Sequence, residues 1–577
     1  MKITDDFWQP RLLTHANVTL QAGLNQCENE TQRIKNFAIA AGLIKGVFKG
    51  FVYDDSDLYK MLEGASYSLM NNPNPALESK LDSIISLISA AQMPDGYLMT
   101  YFELGDITKR WTDMNMHEMY CCGHLIEAGI AYYNATGKRS LLNVAINYAN
   151  HIDKTFGEGK RVWVPGHEEI ELALVKLYRV TQDQRYLKLA KWLLEQRGHN
   201  NATWDPADKD YYQDLVPVKD LKKISGHAVR SMYLFTGMAD VSSAINDTTY
   251  LPALDRLWDD VVKTKMYITG GIGSSKVNEG FSEDYDLPNE DAYCETCASV
   301  GMVLWNQRMN MLKGDGKYVD VLERSMYNGA LAGISLSGDR FFYVNPLASS
   351  GNHHRKAWYG TACCPSQISR FLPSIGNYIY ATSTDNSIWV NLYIGSETTI
   401  KTAGNSIDLK QETTYPWYGK VTLRVNPQKS KAFKVKLRLP GWCKKYDISV
   451  NGHPVKTQME LHYLIINRKW KKGDVVTFNM DMPVEVVAAD PRVKADAGKR
   501  TIQRGPIVYC MEEVDNKSID SAKIDASTQY TATFEPDLLG SVVEITAKAG
   551  NQVYTFIPYY AWDNRQAGKM KVWVDYK

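Results

Sequence analysis

The sequence contains no apolar run of about 18 residues, the length a membrane-spanning helix needs. It has no excess of either charge: 66 Lys and Arg face 65 Asp and Glu, a formal net of +1, without a long basic block. Neither nucleic acid, which needs a basic face, nor a membrane is therefore an expected partner. The opening MKITDDFWQP places acids where a signal peptide has its apolar stretch. No signal peptide is expected in this chain, which belongs in the cytoplasm, or in the periplasm if a leader has been removed. Nine cysteines among 577 residues are too sparse for a disulfide scaffold, and the odd number leaves at least one thiol unpaired. Low-complexity and linker-like stretches are also lacking, so the parts should pack tightly.

Phe is scarce beside Tyr, 15 against 35, and Trp adds 14. Rings with a polar handle suit a cleft that stacks on sugar faces and bonds hydroxyls, although a large core with interface aromatics has the same composition. The length alone suggests roughly three to four domains, unless a helical toroid accounts for much of it. From Asn17 to Tyr380 the apolar spacing is helical, and one pattern recurs: a long apolar helix, a polar or Gly turn, then a Tyr/Leu-led helix. Such hairpins begin at His124, Glu171, Ala228 and Ser299, and two more fit upstream, around Asp57 to Gln92 and before Gly42. Six would close an (α/α)6 toroid whose inserted loops converge on one cleft. After Tyr380 the period falls to 2, with strict alternation in Phe433 to Leu439, an Asn451-Gly452 hairpin signal, and a further turn and strand at Trp470 to Met480. The expected class is multi-domain α plus β. It comprises a toroid over 1–380, an antiparallel β-sandwich over 381–500 and a smaller sandwich over 501–577, with a junction within Ala489 to Cys510.

The densest unusual feature is YCETCAS (Tyr293 to Ser299) together with TACCPSQISRF (Thr361 to Phe371). Cys294 and Cys297 form a C-x-x-C, and Cys363-Cys364 supplies a second pair, with Glu295 embedded in the first. That pattern suits one tetrahedral zinc ion, since thiolates two residues apart can point at the same metal. Buried cysteines packing two helices, or a closed structural zinc, would read the same way. Cys121, Cys122, Cys27, Cys443 and Cys510 have no ligand-type neighbours and read as core. His117, His167 and His227 each precede a helix and would meet at one end of a toroid, where they could bond substrate hydroxyls. A lone His is more often a satisfied structural residue. The spacing His117-Glu118 excludes a zinc-protease motif. Glu279, Glu283, Asp284 and Asp286 lie in one Gly-rich loop just upstream of the cysteines, and composition does not rank them.

GGIGSS, NEGF, DYDLPN and Y-x-E-T-C-A-S, followed by N-Q-R-M, HHR-x-x-W and A-C-C-P-S-Q-I-x-R-F, resemble glycoside hydrolase family 127, the zinc-thiolate β-L-arabinofuranosidases. The similarity covers nearly the whole chain, from AAQMPDGYLMTYF to QRGPIVYC. It implies an (α/α)6 catalytic domain with β-sandwiches behind it, and a zinc ion on Glu295, Cys297, Cys363 and Cys364, leaving Cys294 outside the ligand set. It further implies Cys363 as nucleophile, Glu279 as general acid/base, and His117, His167, His227 and Tyr343 as sugar contacts. The implied activity is retaining, exo-acting release of β-L-arabinofuranose, or a related pectic pentofuranose, from plant cell-wall glycans. A glycoside or oligosaccharide is thus the expected partner, and a homodimer is allowed. Two rival readings keep the toroid. One is a metal-free glycosidase or lyase using Glu168 or Glu169 with an Asp, and the other is a glycan-binding protein stapled by a structural zinc.

Overall fold

The computed structural model describes all 577 residues. Its helical part is a ring of six inner helices: Asp55–Asn71, Glu118–Thr136, Ile170–Thr181, Ala228–Ile245, Thr296–Lys313 and Cys363–Phe371. Each packs on the next, and the last closes on the first. Inner helices are buried around nearly their whole circumference; every residue from Glu118 to Tyr132 is buried. Their outer partners bury a single stripe, as Gln184–Gln196 does with Tyr186, Leu187, Leu189, Ala190, Leu193 and Leu194. The turns between them carry the expected end signals. Gly137 and Gly314 end inner helices in the left-handed region, and Asn74, Asp183 and Asp315 cap the outer helices that follow. Ring closure depends on Gly64, where an added Cβ would lie 2.3 Å from the Ser369 carbonyl oxygen of the last inner helix.

The toroid is the architecture that the helical spacing predicts, but its sixth pair forms differently. The stretch before Gly42 is not a hairpin of its own. Residues 8–30 run as one helical rod, with π-turns at His15–Thr19 and Gln26–Glu30, and lie outside the last inner helix. The buried His15 Nε2 lies 2.7 Å from the Ser369 carbonyl oxygen. This pair joins opposite ends of the domain, so no local turn signal announces it.

Behind the ring stand two facing sheets. A seven-stranded sheet runs in the order Lys2–Ile3, Ser396–Thr402, Asn405–Thr413, Lys420–Pro427, Asp474–Met480, Tyr446–Val450, His453–Pro454. A five-stranded sheet runs Gln458–Glu460, Tyr463–Trp470, Lys431–Arg438, Ile388–Val390, Tyr380–Thr382. Phe433, Val435 and Leu437 point inward from Lys431–Arg438, as the alternation requires. Asn451 and Gly452 both take positive φ in the tight hairpin after Tyr446–Val450. A third sheet holds the remaining strands to Val574–Tyr576 and borrows Ala348–Ser349 from the toroid. Val484–Val487, which the sequence analysis groups with the first sandwich, pairs with Lys499–Arg504 of this later sheet. The sandwich is locked to the toroid through buried Arg438, whose Nη2 donates to Glu323 at 2.6 Å.

Candidate active site

All six inner helices begin at the same end of the ring, so their N-termini and the loops leading into them surround one cavity of about 250 Å³. Two neighbouring helix starts supply its cysteine cluster. Glu295 caps Thr296–Lys313 and Cys297 lies in its first turn, while Cys363 and Cys364 open Cys363–Phe371. The ligand atoms of Glu295, Cys297, Cys363 and Cys364 all lie within 4.8 Å of one another. Cys363 Sγ is 3.4 Å from Glu295 Oε1 and 3.1 Å from the Tyr343 hydroxyl, and Cys364 Sγ is 3.4 Å from both Glu295 Oε1 and Cys297 Sγ. Cys363 is half-buried; its three companions are buried.

Three thiols and a carboxylate packed this closely cannot all be charged without a cation. Donation from Cys297 and Cys364 holds the Cys363 thiol well below its usual range, whereas burial pushes Cys297, Cys364 and Glu295 well above theirs. Glu295 Oε2 is buried with no hydrogen-bond partner. An orphaned oxygen beside three converging sulfurs is what a metal ion satisfies, and these four side chains can hold one. The plain C-x-x-C pairing is not formed. Cys294 has φ +40° and is buried in the core shared with the β-sheets, against Gly271, outside the cluster.

The three histidines meet as their positions predict, with ring centroids 5.7 Å apart for His117 and His167 and 5.9 Å for His167 and His227. Each Nδ1 is held by backbone: His117 by the Asn115 carbonyl at 2.6 Å, His167 by the Glu168 carbonyl at 2.8 Å, and His227 by the amides of Val229 and Arg230. Since His227 Nδ1 accepts, its Nε2 carries the proton and donates to Glu279 Oε2 at 3.2 Å. Burial lowers all three, His117 to about 3, so at neutral pH they are uncharged. Glu279 sits in the left-handed region, at φ +50°, in a turn closed by reciprocal Ser275–Gly280 amide bonds. Of its loop's acids it alone lines the cavity. Asp284 is occupied by Lys223 at 2.8 Å and Lys265 at 2.6 Å.

Sequence reasoning missed several cavity residues: Tyr53, Lys60, Tyr120, Tyr211, Arg230 and Tyr233. A signal existed for some of them. Tyr120 follows His117 by three, as Arg230 follows His227, and residues three apart share a helix face. Lys60 and Tyr233 lie mid-helix in apolar surroundings and carry no such mark. Glu168 and Glu169, the acids of the metal-free reading, do not line the cavity. Glu168 is buried on Arg197 at 2.9 Å, and Glu169 lies 3.2 Å from His124.

Residues 1–377 match the β-L-arabinofuranosidase GH127 catalytic domain, 387–482 the GH127 middle domain and 484–575 the glycoside hydrolase family 127 C-terminal domain. A non-reducing end β-L-arabinofuranosidase of Bifidobacterium longum subsp. longum is 36% identical, with 96% of this chain and 93% of that protein covered. The crystal structure of a GH127 β-L-arabinofuranosidase from Geobacillus stearothermophilus T6 is 40% identical with a TM-score of 0.96, covering 100% of this chain and 99% of that one. A further GH127 β-arabinofuranosidase structure is 42% identical with a TM-score of 0.94, covering 100% and 96%. Matched along its toroid and both β regions, the chain belongs to glycoside hydrolase family 127 and is a glycoside hydrolase.

Proposed function

We propose that the protein is a retaining, exo-acting β-L-arabinofuranosidase that releases terminal β-L-arabinofuranose, or a related pectic pentofuranose, from plant cell-wall glycans. The observation that carries this reading is the arrangement of the cluster: three buried donors stand behind one half-buried thiol, Cys363, which faces the same cavity as Glu279. A purely structural metal site would have no sulfur facing a substrate-sized space. The toroid, residues 1–380, performs the chemistry, and the β-sandwiches support it. A cavity of about 250 Å³ is small for anything beyond one sugar ring, which favours exo action.

Three sulfurs and one carboxylate oxygen suit Zn²⁺, held by Glu295, Cys297, Cys363 and Cys364. Bound there, zinc would keep the sulfurs deprotonated at neutral pH. Cys363 Sγ then attacks the anomeric carbon as the glycosidic C–O bond breaks, and Glu279 gives its proton to the departing oxygen. The Glu279 carboxylate next takes a proton from water, whose oxygen displaces Cys363 and restores the original configuration. His227 holds one oxygen of Glu279, leaving the other for the proton transfers. The Tyr343 hydroxyl, 3.1 Å from Cys363 Sγ, steadies the sulfur as a leaving group. Neutral His117 and His167 present Nε2 to sugar hydroxyls. Proton NMR of an aryl β-L-arabinofuranoside digest should show β-arabinofuranose as the first product. The α anomer appearing first, or no hydrolysis of any furanoside, would overturn the reading.

A further inference from the structure

Two buried cations each donate a hydrogen bond to a cavity tyrosine. Lys60 Nζ donates to the Tyr120 hydroxyl at 2.7 Å, and Arg370 Nη2 donates to the Tyr233 hydroxyl at 3.1 Å. Lysine and arginine can only donate, so both phenol oxygens are acceptors here, and each keeps its own hydrogen. No second hydrogen bond is made by either phenol. The anchors are firm: Lys60 is 1% exposed beside Asp57, and Arg370 is clamped by Glu63 at 2.9 Å and Glu127 at 2.6 Å. Burial holds both phenols far above their usual range, so neither gives up its proton.

Depth says what these protons meet. The cluster and the histidines sit at the N-termini of the inner helices, whereas Tyr120 is the third residue of its helix and Tyr233 the sixth of its own. At 1.5 Å per residue that places Tyr120 about 3 Å and Tyr233 about 7 Å deeper along the axis. Glu279, 43% exposed, marks the mouth. A furanose with its anomeric carbon at Cys363 and its leaving oxygen at Glu279 therefore turns its far end, the C4 hydroxymethyl, toward the floor.

We propose that Tyr120 and Tyr233 are a specificity-determining donor pair that reads the 5-hydroxyl of the furanose, with Lys60 and Arg370 as positioning residues that aim the two phenolic hydrogens into the cavity; the assignment of this hydroxyl rests on the arabinofuranosidase reading. Two free phenolic hydrogens beside the ammonium of Lys60, which also lines the cavity, select a sugar oxygen with open lone pairs and reject a deoxy ring, which would leave both phenols unpaired.

The test compares p-nitrophenyl β-L-arabinofuranoside with its 5-deoxy analogue, using zinc-loaded wild type, Tyr120→Phe and Tyr233→Phe. On the parent glycoside each variant should lose roughly 10- to 100-fold in kcat/KM, and the wild type should lose a similar factor on the analogue. On the analogue the variants and wild type should be nearly equal, which also shows that the variants fold and keep their chemistry. Equal losses on both glycosides, or no loss on the parent, would overturn the donor pair while leaving the arabinofuranosidase reading intact. A wild type inactive on both glycosides would overturn that reading and the pair together.

Discussion

The two ends of the toroid axis hold cavities of similar size built on opposite principles. At the C-terminal ends of the inner helices lies a cavity of about 340 Å³ lined by charges that are paired. Arg370 meets Glu63 and Glu127, Lys176 meets Glu127, and Asp240 is held by Arg179 at 3.1 Å and Arg308 at 3.3 Å. Cations at that end also complement the helix dipoles. At the N-terminal ends, the cavity of about 250 Å³ leaves Glu295 Oε2 without a partner, crowds three thiols and keeps three histidines neutral. One end spends its polar groups on each other and stabilises the ring. The other withholds them from protein partners, at the expense of stability, and keeps them for a metal and a substrate.

Substitutions at the two ends should therefore fail in different ways. Cys363→Ala should lose activity on the order of 10⁴-fold or more on any glycoside while the fold persists, read by kcat/KM beside a thermal midpoint. Glu279→Gln should slow a natural glycoside about 10²- to 10⁴-fold in the glycosylation step, and an activated aryl furanoside far less, because that leaving group needs no proton. Single-turnover rates on both substrates check this, and equal losses would show that Glu279 is not the proton donor. At the opposite end Asp240→Asn should cost about 3 kcal/mol of stability by breaking the pairs that buried Asp240 makes with Arg179 and Arg308, with kcat/KM unchanged. Urea unfolding and a rate assay on the same preparation would show whether the two ends are separable. Smallest of all, Cys294→Ser should leave zinc stoichiometry at one per chain, whereas Glu295→Ala with Cys297→Ser should empty the site. Elemental analysis decides between them, and loss of zinc on changing Cys294 would restore the plain C-x-x-C pairing.

Much of this contrast is readable in the sequence, for physical reasons that differ by residue. The inner helices show themselves because a helix buried all round is largely apolar, as Glu118 to Tyr132 is apart from Glu118, His124 and Glu127. The three histidines show themselves because His117, His167 and His227 precede apolar runs. The resemblance to family 127 distinguishes Glu279 among its loop's acids, which spacing alone does not. What stays hidden is whatever depends on contacts distant in sequence. The outer rod of residues 8–30 meets its inner partner through His15 on the Ser369 carbonyl, 354 residues further along the chain. Lys60, Tyr233 and Arg370 look like helix interior, because their pairing crosses from one helix to another. Cys294 misleads in the other direction: the C-x-x-C spacing fits a metal, but its positive φ turns that thiol into the core.

The central claim is that the half-buried sulfur of the cluster is the group that bonds to the sugar. A β-L-arabinofuranose-derived electrophile, such as a bromoacetamide at the anomeric position, should label the zinc-loaded enzyme once per chain. Peptide mapping by mass spectrometry should place the adduct on Cys363, with Cys297 and Cys364 unmodified. An adduct confined to Glu279 or another carboxylate, with Cys363 still free, would contradict the account.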